Sequence, residues 1–534
     1  MTAVTVDCAR SIARVPAGLY GVGYNGWGDT VYPQAVAHLR AVGVRYVRMV
    51  VCLDELCGDR PGDYRWEYAQ PCDLGEGFLS RVRRIRRQGW TPILAFSLHG
   101  AAGMLPRWFH GEHNDARGNA WFRYHGDGTL APDGKSDQYQ ALSRIARDLA
   151  AKLAAEGLTG LHWESIYEMG HDMPLADIHY HVARGIRAAD PRAKLLGPAT
   201  WPGWTVEERF VKPFLATYGA DLLDYVTMHW YADNEHGLWR APGYQVGETI
   251  LTMGQPDLLA YLMETTPKFG AWCRRLRALL DDPALNPTRK RIGIAFTEFD
   301  AVARSPYGSN PENPDWPRYR ADADCYLNTN VFGGVWCASV LCHLAASGCL
   351  DIALKFNARQ YYGLIDNGPG QRYFRQPVWF AWRLLQERAG LKPGAPLLAT
   401  TVDGPRDNAA AHVDGQDTPW VEAFAVGPAA RPRLVLINRS FTPQTVRLRL
   451  SGTPARRTTW RAERYRFSEE RVARFIGRKP GTRTEGAFAG APDDSASARC
   501  LRRLDQVTAR REGSTYRLEG LHCPPISITV LAFQ

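Results

Sequence analysis

Eight short apolar runs, each followed by a stretch of helical periodicity, fill the first 390 residues and limit the possible folds more than any other feature of the chain. The runs cover 19–24, 44–51, 91–98, 160–167, 193–197, 222–230, 291–298 and 350–357. Strands that alternate with helices pair in parallel, because each return to the sheet needs a crossover. Among the intervening segments, Leu142, Ile145, Leu149 and Leu153 recur at helical spacing. A second segment, 175–190, is bracketed by Pro174 and Pro191. Eight such units closing on themselves predict a (β/α)8 TIM barrel of the α/β class. An open doubly wound sheet is the rival, but it gives no reason for eight.

The pattern changes at about residue 391. Segments 433–438, 445–450 and 526–533 read as strands separated by turn residues, with little helical signal, which predicts an antiparallel β-sandwich. The run 3–8 precedes the barrel and can add an N-terminal strand to that sandwich. The expected organisation is an N-terminal strand within 1–15, a barrel over 16–389 and a sandwich over 390–534. The small, polar stretch 481–497 is expected to be a loop.

Composition narrows the function classes. The chain has 534 residues, 45% of them hydrophobic and 22% charged, enough to bury a large core and exclude global disorder. No apolar run reaches the ~18–20 residues of a membrane span. The nearest, 335–350, is interrupted by His343. The net charge of +10 is carried by Arg, since only nine of the 65 basic residues are Lys. The arginines are scattered, with clusters at 81–87 and 502–511, and read as solvated faces. No nucleic-acid-binding motif accompanies them, so neither nucleic acid nor membrane is expected as a partner. Attraction to an acidic substrate stays open. The eleven cysteines include no CxxC and no zinc spacing, which suits free thiols in a reducing compartment. The N-terminus shows no basic segment followed by an apolar core. A cytoplasmic location is therefore expected, or an external one if a leader has been trimmed.

Barrel active sites lie at the C-terminal ends of the strands. The polar residues there are Arg48 on strand two, His99 after strand three, Glu164, Tyr167 and Glu168 on strand four, and Trp204 after strand five. Strand six adds His229 and Tyr231, strand seven Thr297 and Glu298, and strand eight Lys355. Glu168 and Glu298 stand out because each closes an apolar strand. Three units separate them at about 43 residues each, near the mean of about 47 for the whole barrel. A pair of carboxylates flanking one bond is what glycoside hydrolysis needs, one protonated and one ionised. Rings and imidazoles on adjacent strand ends supply stacking faces and hydrogen bonds for a sugar. Neither a cofactor nor a metal is expected, because no His/Asp/Glu spacing compels one.

These segments resemble a family. HWESIYEMG on strand four, MHWY on strand six and FTEFD on strand seven are similar to the retaining clan of (β/α)8 glycoside hydrolases, with glycoside hydrolase family thirty-nine, the xylosidase and iduronidase family, as the nearest likeness. The tail segments LVLINRS and PPISITVLAF and the stretch YYGLID agree with that layout. The resemblance implies Glu298 as nucleophile and Glu168 as acid/base. It matches Arg48 to the strand-two Arg beside the nucleophile, and His229 and Tyr231 to groups lining the sugar subsite. Tyr167 departs from it, standing where the clan has an Asn that bonds the sugar 2-hydroxyl. Lys355 departs too, standing where an aromatic is common; it could meet an acidic sugar.

Each residue also has a plainer reading. Glu164, four positions before Glu168 and on the same strand face, reads as a buried ion-pair partner of an Arg, and Arg48 could equally be that partner. His99 and His229 could be satisfied core or rim histidines. Trp204 could be half platform and half core, and Lys355 could form a barrel-interior ion pair. A hydrolase acting through Glu298 and Glu168 is expected. A barrel that binds sugar without cutting it, or a transglycosylase using the same two acids, are the alternatives.

Overall fold

The computed structural model of the chain describes residues 1–24, 33–68, 76–96, 132–166, 174–200, 205–232, 260, 262–301, 328–359, 363–368, 372–407, 417–454, 457–469 and 494–534. Eight parallel strands close into a barrel: Gly18–Tyr24, Tyr46–Val51, Thr91–Phe96, His162–Glu164, Lys194–Thr200, Tyr225–Tyr231, Gly293–Asp300 and Ile352–Lys355. The first pairs with the eighth, which completes the ring. All eight fall on the runs expected from sequence. Such strands are apolar along their length because helices cover the outer face and packed side chains fill the inner one. All eight residues of Gly293–Asp300 are buried. Ile93, Leu196, Ala295, Ile352 and Leu354 form the interior plug, with Tyr46 and Tyr225 against it.

The outer layer follows the sequence periodicity. Leu142, Ile145, Leu149 and Leu153 all lie buried on helix Pro132–Ala155. Helix Leu175–Ala189 fills the segment between the two prolines. The apolar run near 335–350 is helix Val331–Ala346, buried on nearly every side. That burial removes any amphipathic pattern, as expected of a helix between two layers. Among the described residues, no helix is long and apolar enough to cross a membrane.

Among the described residues, four of the other strands make two small two-stranded sheets, and nine form a second sheet that also closes on itself. Its order is Thr2–Arg14, Pro396–Asp403, Val421–Val426, Arg433–Asn438, Ser527–Phe533, Thr459–Phe467, Leu501–Glu512, Thr515–Cys523 and Gln444–Ser451. The N-terminal strand joins it as expected, antiparallel to Pro396–Asp403 and parallel to Gln444–Ser451. Residues 3–15 thus run from the second sheet into the barrel, and the two layers share one core. One expectation needs correcting. Of the 481–497 stretch, 481–493 lie outside the described residues, and the end is not loop: Asp494–Ala498 is helical. Asp494 receives a hydrogen bond from Arg375 Nε at 2.7 Å, which anchors that turn.

A buried polar knot ties the two layers together. Glu422, on the second sheet, accepts from Ser339 Oγ at 2.5 Å and from Thr266 Oγ1 at 3.3 Å, both on barrel helices. His343 Nε2 lies 3.0 Å and Arg439 Nε 3.9 Å from Oε1, the oxygen that Thr266 also reaches. Burial pushes the Glu422 carboxyl up, but His343, Arg439 and Ser339 outweigh it and hold the group below the usual carboxylate range. A carboxyl depressed on folding stabilises the fold above its unfolded value of about 4.3, and that contribution is lost as pH falls through the lower folded value. Glu422→Gln should therefore cost about 2–3 kcal/mol at pH 7, with the gap to wild type narrowing only below about pH 4.3. Thermal midpoints of both proteins between pH 7 and 3.5 check this; a constant gap would contradict it.

Candidate active site

Four strand ends converge inside the barrel mouth. Arg48 on the second strand, Glu164 on the fourth, His229 and Tyr231 on the sixth, and Thr297 and Glu298 on the seventh are all buried. Arg48 bridges two acids: Nε donates to Glu164 Oε2 at 2.5 Å and Nη1 donates to Glu298 Oε1 at 2.6 Å. Tyr231 OH donates to the other Glu298 oxygen, Oε2, at 2.7 Å. His229 Nδ1 lies 3.5 Å from that oxygen. Thr297 Oγ1 donates to Glu164 Oε1 at 2.5 Å. Both oxygens of each carboxylate are thus held, one of each by the same guanidinium, which fixes the orientation of Glu298.

A one-residue irregularity makes this possible. The sixth and seventh strands pair Met228 with Phe296 and then His229 with Glu298, so Thr297 is an extra residue on the seventh strand. Strict alternation from the interior residue Ala295 would turn Thr297 inward and Glu298 outward. The bulge re-aims the chain, and both side chains reach the interior.

Burial pushes His229 down to about 4, with Arg48 adding to the effect and Glu298 and Glu164 opposing it. Its imidazole is neutral near pH 7, a hydrogen-bonding wall rather than a charge. Burial also lowers His162 and His179 to about 4. His179 Nε2 lies 2.8 Å from the Leu222 carbonyl, so it is the protonated nitrogen, and Nδ1 accepts from Ser165 Oγ at 2.6 Å. All three histidines have folded values below the unfolded value of about 6.5. Their stabilisation is present above about pH 6.5 and is lost as pH falls towards 4, because the unfolded chain takes up protons that the folded chain does not. The thermal midpoint should therefore drop between pH 6.5 and 4.5. His162→Phe, set between the rings of Tyr46 and Tyr225, should shrink that drop; an identical drop in both proteins would contradict the assignment.

The structure places the expected residues unevenly. Arg48, His229, Tyr231 and Glu298 come together. Lys355 does not join them. It is buried, and its Nζ donates to Asp300 Oδ2. Leu354 belongs to the interior plug, so alternation turns Lys355 away from the barrel axis, level with Phe299 in the helix-facing layer. Its substrate-binding role is thereby corrected to that of an ion pair. His99, Tyr167, Glu168 and Trp204 lie outside the described residues. Glu164 is the ion-pair partner that its spacing suggested. Thr297, noted at the end of the seventh strand, was not counted among the site residues, yet its hydroxyl holds Glu164. Among the described residues, no group of three or more His, Cys, Asp or Glu side chains could hold a metal ion.

No family model matches the chain, and no curated protein does. Solved structures do match it along its whole length. A family 51 alpha-L-arabinofuranosidase from Bifidobacterium longum superposes with a TM-score of 0.60 at 16% identity, covering 100% of this chain and 99% of that one. The chain has the fold of that enzyme. A monomeric beta-xylosidase from Caulobacter crescentus CB15 gives a TM-score of 0.57 at 14% identity, covering 100% and 99%. The GH39 enzyme from Xanthomonas axonopodis pv. citri gives 0.54 at 15%, covering 100% and 97%. The likeness therefore takes in both the barrel and the second sheet, and at these identities it is a likeness of fold.

Proposed function

We propose that the chain is a retaining glycoside hydrolase with Glu298 as nucleophile and Glu168 as acid/base. The observation that carries this is the clamp on Glu298: a carboxylate at the end of the seventh barrel strand, one oxygen held by Arg48 and the other by Tyr231. A nucleophilic carboxylate must be ionised and aimed, and a guanidinium with a phenol supplies both. The full-length fold likeness to an arabinofuranosidase and a xylosidase supports the same reading.

In the first step a Glu298 oxygen bonds the anomeric carbon while Glu168 protonates the departing oxygen. In the second, Glu168 takes a proton from water, which attacks that carbon and releases Glu298. Two displacements return the sugar with its original configuration. Tyr231 can shift its hydrogen bond as Glu298 loses charge in the ester, and neutral His229 lines the subsite without competing for Arg48. Tyr167, where the clan has Asn, favours a glycone altered at its 2-position.

A panel of aryl xylosides, arabinosides, uronides and 2-substituted glycosides tests this, with product configuration read by NMR at early times. Release with retention supports it. Release with inversion removes Glu298 as nucleophile. Tight binding without turnover would favour the sugar-binding barrel, and net transfer to a second sugar the transglycosylase.

A further inference from the structure

The outer face of the second sheet carries a row of arginines that neither the barrel nor the clamp uses. Strands Gln444–Ser451, Thr515–Cys523 and Leu501–Glu512 lie side by side. Arg449 stands directly opposite Arg517, and Arg517 directly opposite Arg510. All three are exposed. At about 4.8 Å per strand they form a line of guanidiniums about 10 Å long, perpendicular to the strands. The next strand, Thr459–Phe467, extends the row with exposed Arg461, which pairs with Thr508, two residues along from Arg510. Like charges facing each other across strands destabilise a sheet. Part of this charge is balanced: Arg517 meets Glu512 at 2.9 Å. Arg449, Arg510 and Arg461 have no ion-pair partner among the described residues.

We infer that this face docks an acidic polysaccharide, a chain bearing a carboxylate on successive sugar rings. The strand spacing offers one guanidinium at intervals close to the length of a sugar ring. The outward residues around the row are mixed: Thr459 stands opposite Arg510 and Thr508 opposite Arg461, with hydroxyls that suit sugar hydroxyls, while Arg447 and Glu519 beside the row pair with each other at 2.9 Å. Among the described residues, these strands turn no Trp, Tyr or Phe outward on which unstacked bases could lie. The choice of a polysaccharide over other polyanions rests on the hydrolase reading above; the row itself does not.

The test uses the full chain and fluorescein-labelled polygalacturonate, followed by anisotropy at 50 and 200 mM salt, with xylan and duplex DNA as competitors. Wild type should bind polygalacturonate at low salt and lose at least about tenfold in affinity at high salt. Xylan should not compete. The Arg449→Gln/Arg510→Gln double variant should lose at least tenfold in affinity with unchanged or raised thermal stability. Arg10→Gln/Arg431→Gln, which removes the same charge from other exposed positions, should lose less than threefold. Equal losses in the two variants would reduce the effect to net charge, and absent binding would overturn the proposal outright. Tighter binding of DNA than of polygalacturonate would transfer the face to nucleic acid. Turnover of a small aryl glycoside is measured in parallel and should be unchanged in both variants. Its absence in wild type would sink the hydrolase reading while leaving the binding result intact.

Discussion

Glu298→Gln should lower turnover of any aryl glycoside that the protein cleaves by about 10⁴-fold or more while leaving the fold intact. The size follows from losing the covalent step: an amide cannot attack the anomeric carbon, and groups that act as a unit lose nearly all their effect when one is removed. The stability expectation follows from charge. Arg48 faces two acids, and after the substitution it still has Glu164 at 2.5 Å. The amide oxygen can keep its bond from Arg48, so no buried ion is stranded. The apparent thermal midpoint should move by less than about 3 °C, since roughly 1 kcal/mol corresponds to a few degrees in a domain of this size. Turnover retained within tenfold of wild type would remove Glu298 from the chemistry. Unfolding would show that its carboxylate holds the barrel together.

Arg48→Met should do the opposite to stability and the same to activity. The side chain is fully buried, and both of its acid partners are almost wholly so. Its removal leaves two buried carboxylates with no cation between them. Breaking a buried pair by deleting one partner typically costs 3–5 kcal/mol, because the charge left behind is uncompensated. One acid would then take up a proton, and if it were Glu298 the nucleophile would be lost. The variant should melt at least several degrees below wild type and regain part of the difference at lower pH, where a carboxyl is neutral. Arg48→Lys should recover little, since one ammonium cannot reproduce the two-directional fork. The Arg48→Met/Glu164→Gln double variant should be more stable than Arg48→Met alone, with no gain in activity. If Arg48→Met melts like wild type, the bridge does not carry the barrel mouth.

These two expectations rest on information of different origin. The barrel was legible in the chain because its period is coarse: eight apolar strands, buried on both faces, leave a signal that no single substitution erases. The helix 175–190 was legible because prolines mark both its ends. Glu298 was legible because a carboxylate closing an apolar strand contradicts its surroundings unless it has work to do. Lys355 was misplaced for a related reason. A charged residue on a barrel strand looks functional, and only the face it occupies shows that it serves Asp300.

What the chain alone determined is therefore the barrel with its second sheet, the N-terminal strand that joins that sheet, and the strand ends on which Arg48, Glu164, His229, Tyr231 and Glu298 sit. Tertiary structure decided how they meet. Whether Arg48 serves Glu164 or Glu298 was evenly balanced in the sequence, and the structure has it serve both. Whether Thr297 or Glu298 faces inward is a choice under strict alternation, and the bulge between the sixth and seventh strands removes the choice. The physical reason is one of range. Hydrophobic periodicity is a local property, written along each strand. A guanidinium shared between residues 116 and 250 positions away, and a register that slips by one, depend on which strands the closed ring makes neighbours.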